Sequence, residues 1–216
     1  MLNRSLRVCP DVGKPSEMHP RLTAACYDQL APHWAKEGFI HENGIAQHER
    51  AIRLLGRAGR AIDVGCGSSG RIIGLLLGHG FAVEGLDFSK EMLVFAKQKH
   101  PAVVFHHADI CVWAPAVSYD FISAWDSIWH VPLAQHEAVL RKLCDALTPG
   151  GVLIFTTGAV DTPGEVTNPC EGQPLYHAAL GVSPLLRLID QFGCVCRHLE
   201  ADQFPENHLY LIVQKI

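Results

Sequence analysis

The pattern of apolar and polar positions changes character at residue 61. Over residues 21–59, apolar residues such as Tyr27, Leu30 and Trp34 recur three and four positions apart, which is the period of an amphipathic helix. From residue 61 onward, short apolar runs alternate with helical segments, as they do in a parallel sheet covered by helices on both faces. The sequence therefore predicts an N-terminal helical cap followed by an α/β layer structure.

Glycines, prolines and capping residues divide the second part into elements. After a first strand that begins at residue 61, strands are predicted at 82–86, 103–108, 119–125, 152–157, 194–200 and 208–214. Helices are predicted at 69–77, at 89–99 with Ser89 as N-cap, at 133–147, and from Ser183 to Gly193. Because a short polar loop joins the last two strands, we expect the final strand to run antiparallel to the others.

Two segments fall outside this alternation. Residues 1–20 contain three prolines and no clear period, so they are expected to form a flexible leader without chemistry. Residues 158–183 are long for a connection and also contain three prolines, which is typical of a functional loop, and we interpret them as a substrate lid. Residues 21–216 are expected to form one domain.

A glycine-rich loop follows the first strand and marks a ligand site. Gly65, Gly67 and Gly70 allow a tight turn and a close approach of backbone N–H groups to a ligand at the start of the next helix. Their G-x-G-x-x-G spacing alone is weak evidence and would suggest NAD. The next strand ends in Asp87, which can accept hydrogen bonds from both hydroxyls of a ribose. The third strand ends in a further acid, Asp109.

These motifs, together with the segments 119–125 and 147–153, resemble the class I S-adenosylmethionine-dependent methyltransferases over about residues 61–157. The resemblance implies a Rossmann-like, doubly wound and mostly parallel sheet with an antiparallel last strand. It also implies a loop that wraps the methionine part of the cofactor, a ribose contact at Asp87 and an adenine contact at Asp109. The positions predicted for cofactor binding are Asp63, Gly65, Cys66, Gly67, Gly70, Asp87, Phe88, Met92, Asp109, Ile110, Trp125, Tyr27 and Trp34.

The nicotinamide alternative explains fewer of these residues. A nicotinamide-binding strand usually stays apolar up to its first glycine, whereas Asp63 stands two positions before this loop. Nothing in that fold requires Asp109 or the Pro149-Gly150-Gly151 turn. Two roles stay open for Tyr27 and Trp34, which either belong to the core of the cap or, by resemblance, close over the cofactor.

The acceptor side is expected after the fourth strand and in the long segment. Trp125 either offers its ring to the cofactor sulfonium or closes the edge of the sheet. His130 is either a base or a packing residue, and Tyr176 and His177 are candidates to contact the acceptor. Asp202 and His208, near the closing hairpin, either reach the same cleft or are surface residues at strand ends, and the second interpretation is preferred.

Composition restricts the partners. With 216 residues and 48% hydrophobic content, the chain can fill one α/β core. A net charge of -4 without a Lys/Arg run argues against nucleic acid, and no apolar run is long enough to span a membrane. Eight scattered cysteines without C-x-x-C pairs favour reduced thiols, a cytoplasmic location and no metal site.

We therefore predict an S-adenosylmethionine-dependent methyltransferase, a monomer or homodimer, that transfers a methyl group to O or N of a small organic acceptor and releases S-adenosylhomocysteine. Two alternatives remain. The first is an S-adenosylmethionine-binding regulatory protein without turnover, and the second, less favoured, is a nicotinamide-dependent oxidoreductase.

Overall fold

The computed structural model describes residues 20–35 and 42–216, so the predicted leader lies outside it except for Pro20. The helices are α1 (Pro20–Trp34), α2 (Ile45–Leu55), α3 (Arg71–Gly78), α4 (Lys90–Lys99), α5 (His136–Asp145) and α6 (Val182–Gln191). The strands are β1 (Arg60–Val64), β2 (Ala82–Asp87), β3 (Val104–His107), β4 (Tyr119–Ala124), β5 (Leu147–Gly158), β6 (Gly164–Cys170), β7 (Gln173–Ala179), β8 (Cys194–Glu200) and β9 (His208–Lys215).

Seven of these strands form one sheet in the order β3-β2-β1-β4-β5-β9-β8. The strands β1 to β5 are parallel, and β9 runs antiparallel to both of its neighbours. The predicted doubly wound sheet with an antiparallel last strand is thus confirmed. One consequence matters for the site: the carboxyl ends of β1, β2, β4 and β5 share an edge with the first residues of β9.

Helices cover both faces of this sheet, because strands that are buried on both sides need apolar cover on both. On one face, α2 and α3 contribute residues such as Ile52 and Ile73 to a core with Phe121 of β4. On the other face, α5 and α6 contribute residues such as Leu143 and Ile189. The site edge is therefore supported by a packed core from both sides.

The segment 158–183 differs from the prediction of an irregular loop. Residues of β6 and β7 pair as an antiparallel hairpin that forms its own small sheet. Its two-residue turn, Glu171 and Gly172, has φ values of 46° and 81°, the left-handed conformation that tight hairpin turns require. The prolines do not prevent pairing, since Pro169 and Pro174 lie opposite each other and both strands have an outer edge that needs no ladder hydrogen bonds.

The predicted helix at 133–147 is also shorter than expected. A 3₁₀ turn at Leu133–Gln135 precedes α5, which ends at Asp145. The strand β5 then begins at Leu147, with a register shift against β4, so the Thr148-Pro149-Gly150-Gly151 turn lies within the strand rather than before it.

The helix α1 lies between α4 and the β6–β7 hairpin. Asp28 accepts hydrogen bonds from the Ser89 hydroxyl (2.6 Å) and from the Glu91 backbone N–H (3.1 Å). The Ser89 hydroxyl in turn accepts from the Met92 N–H at 3.2 Å, which confirms Ser89 as the N-cap of α4. On its other side, α1 packs its apolar residues against Leu175 of β7.

Candidate cofactor and acceptor site

The glycine loop joins the end of β1 to the start of α3. The backbone N–H groups of Gly65 and Cys66 donate to the carbonyl of Leu86 at 2.7 and 3.0 Å, which holds the loop against β2. Gly65 and Gly67 have φ values of 72° and 60°. A Cβ on Gly65 would lie 2.2 Å from the Ser127 Cβ, whereas a Cβ on Gly67 would meet nothing within 4 Å. Gly65 is therefore required by packing, and Gly67 leaves open space above the loop.

Asp87 ties this loop to the start of α4. Its carboxylate accepts from the backbone N–H groups of Gly67 (2.9 Å) and Ser89 (2.8 Å). Burial raises the pKa of Asp87 despite these bonds. Beside it, Ser68 is only 2% exposed, and its hydroxyl has no hydrogen-bond partner among the described residues. A buried polar atom without a partner is costly, so the loop presents a donor and acceptor for a ligand.

The remaining predicted cofactor positions on this side differ in their burial and in the hydrogen bonds that they already make. The Asp109 carboxylate accepts from the Cys111 N–H at 2.9 Å, at the end of β3. Phe88 follows Asp87, and its carbonyl accepts from the His107 ring at 3.1 Å. Met92 is buried, and the Ile110 carbonyl accepts from Lys142 at 2.6 Å. Cys66 is buried and its thiol pKa is raised. Gly70 begins α3, with His100 against its α-carbon.

Asp63 is buried in a hydrogen-bonded chain that sequence reasoning did not foresee. The Ser123 hydroxyl lies 2.7 Å from the Asp63 carboxylate and 3.0 Å from Nε2 of His48, whose Nδ1 donates to the Gly44 carbonyl. Ser123 has one proton for two bonds, so either Asp63 or His48 must carry another. Burial raises the pKa of Asp63 to about 6 and lowers that of His48 to about 4, which favours the proton on Asp63.

His130 is fully engaged by the chain itself. Its Nδ1 donates to the Tyr176 carbonyl at 2.7 Å, since a carbonyl can only accept. Its Nε2 accepts from the Tyr27 hydroxyl at 2.7 Å and from the Trp129 indole at 3.0 Å. Burial lowers the pKa of His130 to about 3. The ring therefore has no free lone pair for an acceptor, and the geometry favours positioning over base catalysis.

Tyr176 and His177 are neighbours on β7 with different surroundings. The Tyr176 hydroxyl donates to Glu165 at 2.6 Å and accepts from the Leu133 N–H at 2.9 Å, so it anchors the hairpin. Burial raises its pKa to about 12. Nδ1 of His177 donates to the Leu175 carbonyl, and its Nε2 has no partner in the described part of the chain. Burial lowers the pKa of His177, which leaves Nε2 as an available lone pair.

Trp125 lies beneath α2. Its ring stacks obliquely on His48, His208 and Tyr210 with centroid distances of 5.2, 5.6 and 5.7 Å. A Cβ on Gly44 would lie 2.8 Å from the Trp125 ring, so the loop before α2 covers it. This geometry favours the interpretation of Trp125 as a residue that closes the sheet edge.

Tyr27 and Trp34 lie on α1. Tyr27 reaches His130, as described, while Trp34 packs in the small core that α1 shares with Leu175. Tyr27 thus links the cap to the segment after β4, and Trp34 has the contacts of a core residue.

At the acceptor side, three side chains form a cluster, two of which the sequence analysis preferred to interpret as surface residues. His208, the first residue of β9, lies between two carboxylates: its Nδ1 is 2.5 Å from Asp202 and its Nε2 is 3.0 Å from Asp126. The side chains of His208 and Asp202 are only 5% and 7% exposed, so the interpretation as surface residues is wrong. The antiparallel β9 delivers its first residue to the site edge, and this signal was present in the predicted topology.

Comparisons with known proteins agree with this geometry. A family model described as a methyltransferase domain matches residues 61–151. A trans-aconitate 2-methyltransferase from Acidovorax sp. (strain JS42) is 37% identical over 138 residues, which are 60% of this chain and 50% of that protein. A malonyl-[acyl-carrier protein] O-methyltransferase from Enterobacter lignolyticus (strain SCF1) is 31% identical over 143 residues, 66% of this chain and 56% of that protein. The chain spans about half the length of the curated relatives it matches.

A solved structure shares the whole fold. The Burkholderia thailandensis 1,6-didemethyltoxoflavin-N1-methyltransferase, with its bound substrate and S-adenosylhomocysteine, superposes with a TM-score of 0.68 at 18% identity over 96% of this chain and 93% of the other. The family-model match and these relatives, together with the shared fold, support a class I S-adenosylmethionine-dependent methyltransferase. This finding sets the nicotinamide alternative aside.

The residues of the loop site fit S-adenosylmethionine, the cofactor of the class I methyltransferases. The open space above Gly67 and the buried Ser68 hydroxyl are both features that a bound ligand would complete. The Asp87 carboxylate lies beside them, fixed by two backbone N–H groups. Within residues 20–35 and 42–216, the structure contains no helix long and apolar enough to cross a membrane.

Proposed function

We propose that the chain transfers the methyl group of S-adenosylmethionine to oxygen or nitrogen of a small organic acceptor. The observation that carries this proposal is the loop site, where Gly67, Ser68 and Asp87 combine open space, an unpartnered buried hydroxyl and a fixed carboxylate at the carboxyl ends of β1 and β2. S-adenosylmethionine supplies an electrophilic methyl group on a positively charged sulfur.

The chain's own residues would hold this cofactor at three points. The N–H groups and the Ser68 hydroxyl of the loop bind the methionine part, Asp87 accepts from the ribose hydroxyls, and Asp109 binds the adenine amino group. Asp87 is suited to its role because Gly67 and Ser89 fix its orientation before any ligand arrives, which removes an ordering cost from binding.

On the acceptor side we assign the base role to His177 rather than to His130. An acceptor lone pair must be free of its proton to attack carbon, and a neutral imidazole with an open Nε2 can take that proton. His177 has this arrangement, and its ring lies 4.7 Å from that of His130, centroid to centroid. His130 and Tyr176 then act as positioning residues that fix β7 against the segment after β4.

The relatives indicate the size of the acceptor. The relatives are named for trans-aconitate and for malonyl groups on a carrier protein, and the structural neighbour for a small heterocycle. We propose a small-molecule acceptor rather than nucleic acid. We further propose that the chain acts in the cytoplasm, as the scattered free cysteines suggest. We propose that it is a monomer or homodimer.

Two measurements test this function. S-adenosylmethionine and S-adenosylhomocysteine should raise the melting temperature of the chain, whereas NAD should not, because only a ligand of the native state stabilises it. Release of S-adenosylhomocysteine is then followed with a panel of small acceptors. Binding without release across the panel would favour the regulatory alternative, and a shift with NAD alone would refute the proposal.

A further inference from the structure

We infer that the acceptor is a positively charged amine and that Asp126 is the residue that selects it. This inference rests on the proposed methyl transfer and deepens it, because it names the chemical class of the acceptor. It stands on the position of Asp126, on the charges around it, and on the aromatic rings beside it.

Asp126 lies next to the cofactor loop. It follows the end of β4 by two residues, and its neighbour Ser127 packs directly against Gly65 of the loop. The Asp126 backbone has a φ of 51° and its N–H donates to the Thr156 hydroxyl at 2.8 Å, so its position is fixed. Its side chain is 29% exposed, whereas those of His208 and Asp202 are almost fully buried. Asp126 is therefore the member of the cluster that a ligand can reach.

The charges of the cluster do not cancel. Both ring nitrogens of His208 face carboxylate oxygens, which accept, so both nitrogens carry protons and the imidazole is charged. Burial opposes this charge, but the two carboxylates raise the pKa of His208. Asn43 and Gln47 add only neutral donors, at 2.9 Å to Asp126 and 2.7 Å to Asp202. Two carboxylates around one imidazolium leave these three side chains with a net charge of about −1.

The same arrangement disfavours an acceptor carboxylate. Both nitrogens of His208 already donate to carboxylates of the chain, so its positive charge has no N–H left for an anionic acceptor. An acceptor anion would lie beside Asp126 without a compensating donor from this cluster. A protonated amine, in contrast, brings donors to a carboxylate that can accept more than two hydrogen bonds.

Aromatic rings complete the surroundings. The Trp129 ring lies 5.5 Å from His208 and 5.8 Å from His177, centroid to centroid. Aromatic rings attract cations, so the Trp129 ring and the Asp126 carboxylate both favour a positively charged acceptor. His177 contacts the same Trp129 ring as His208 and offers the open Nε2 described above.

The transfer is balanced with these groups alone. The acceptor ammonium gives one proton to Nε2 of His177, which frees the nitrogen lone pair. That lone pair forms the new N–C bond to the methyl group while the S–C bond breaks and its electrons stay on sulfur. The products are a methylated ammonium, the neutral thioether S-adenosylhomocysteine and a protonated His177, which returns its proton to solvent.

The test uses the full chain and three proteins: wild type, Asp126→Asn and the control Asp190→Asn. Asparagine tolerates a left-handed backbone and keeps an acceptor for His208, so Asp126→Asn is expected to fold. Asp190 is exposed on α6, and its variant makes the same charge change away from the site. Calorimetry first measures S-adenosylmethionine affinity, and then the affinity of two matched probes for the S-adenosylhomocysteine complex: phenethylammonium and 3-phenylpropionate.

We expect wild type to bind phenethylammonium at least ~10-fold more tightly than 3-phenylpropionate, as one charge-assisted hydrogen bond allows. Asp126→Asn should remove this preference and leave S-adenosylmethionine affinity within about threefold, while Asp190→Asn changes neither. Equal or better binding of the carboxylate, or no binding of the amine, overturns the inference. Loss of cofactor affinity in Asp126→Asn overturns it too, since Asp126 would then hold the cofactor. Only absence of S-adenosylmethionine binding to wild type would count against the proposed function itself.

Discussion

Alanine at Gly67 and alanine at Gly65 should separate ligand binding from folding within one loop. Both glycines have left-handed backbones, at φ 60° and 72°, so each substitution costs about 1–2 kcal/mol of backbone strain. At Gly67 the new methyl group meets no protein atom within 4 Å, and strain is the whole cost to stability. At Gly65 it would lie 2.2 Å from the Ser127 Cβ, and such overpacking adds about 1–3 kcal/mol.

Gly67→Ala, the less destabilising of the two substitutions, is the one that we expect to weaken cofactor binding. The methyl group of Gly67→Ala fills the space that we assign to the cofactor, so S-adenosylmethionine should bind about 10–100-fold more weakly, the equivalent of one lost charge-assisted hydrogen bond. Its melting temperature should fall by only about 2–4 °C for each kcal/mol of strain. Gly65→Ala should melt several degrees lower again.

Thermal unfolding of the ligand-free proteins and titration calorimetry with S-adenosylmethionine measure both effects. Wild-type affinity in Gly67→Ala would show that the cofactor does not occupy the space above this residue. Equal melting temperatures for the two variants would show that the contact between Gly65 and Ser127 does not constrain the loop.

Three further predictions concern single side chains. Asp87→Ala should weaken S-adenosylmethionine binding at least ~10-fold and also lower the melting temperature, because the carboxylate holds two backbone N–H groups; unchanged affinity by calorimetry would refute the ribose role. His177→Phe should lower turnover ~10²- to 10⁴-fold with cofactor affinity nearly constant, and turnover equal to wild type would leave positioning as the mechanism. Burial lowers the pKa of His130 from 6.5 to about 3, so the unfolded chain binds a proton first and stability is lost as pH falls below 6.5. His130→Gln should therefore flatten the fall in melting temperature between pH 6.5 and 4, and an unchanged slope would contradict the assigned neutral ring.

Most of the sheet could be predicted from the sequence because each strand is a short apolar run that ends at a glycine, proline or acid. The N-cap Ser89 and the strand 194–200 were located to the residue. The hairpin β6–β7 was not predicted, because its prolines were interpreted as breaks in secondary structure. The left-handed turn at Glu171 and Gly172 is hard to recognise from residue types alone. A two-stranded hairpin tolerates prolines that a central strand does not.

The cofactor side of the site could be predicted because its residues follow successive parallel strands. The acceptor side depends on contacts between distant parts of the chain. Such contacts cannot be predicted from the pattern of neighbouring residues. His208 meets Asp126 across 82 positions only because β9 runs antiparallel, and Asp63 meets His48 only through Ser123. Asp126 follows the fourth strand, where the acceptor side was expected, but its partners could not be predicted from the sequence.

Two adjacent residues of α1 hold opposite sides of the cleft. Tyr27 bonds to His130 beside the acceptor, and Asp28 bonds to Ser89 at the start of the helix that follows the ribose acid. Because α1 moves as a rigid helix, it cannot break the contact of Tyr27 with His130 while it keeps the contact of Asp28 with Ser89. The acceptor and the cofactor therefore enter and leave through the same movement of α1. Movement of α1 would also leave the Glu91 N–H in the first turn of α4 without its Asp28 partner, while the Ser89 cap stays in place. We therefore expect the methylated product and S-adenosylhomocysteine to be released in the same opening of α1. The release rate should depend on the hydrogen bonds of Tyr27 and Asp28 rather than on the affinity of either ligand.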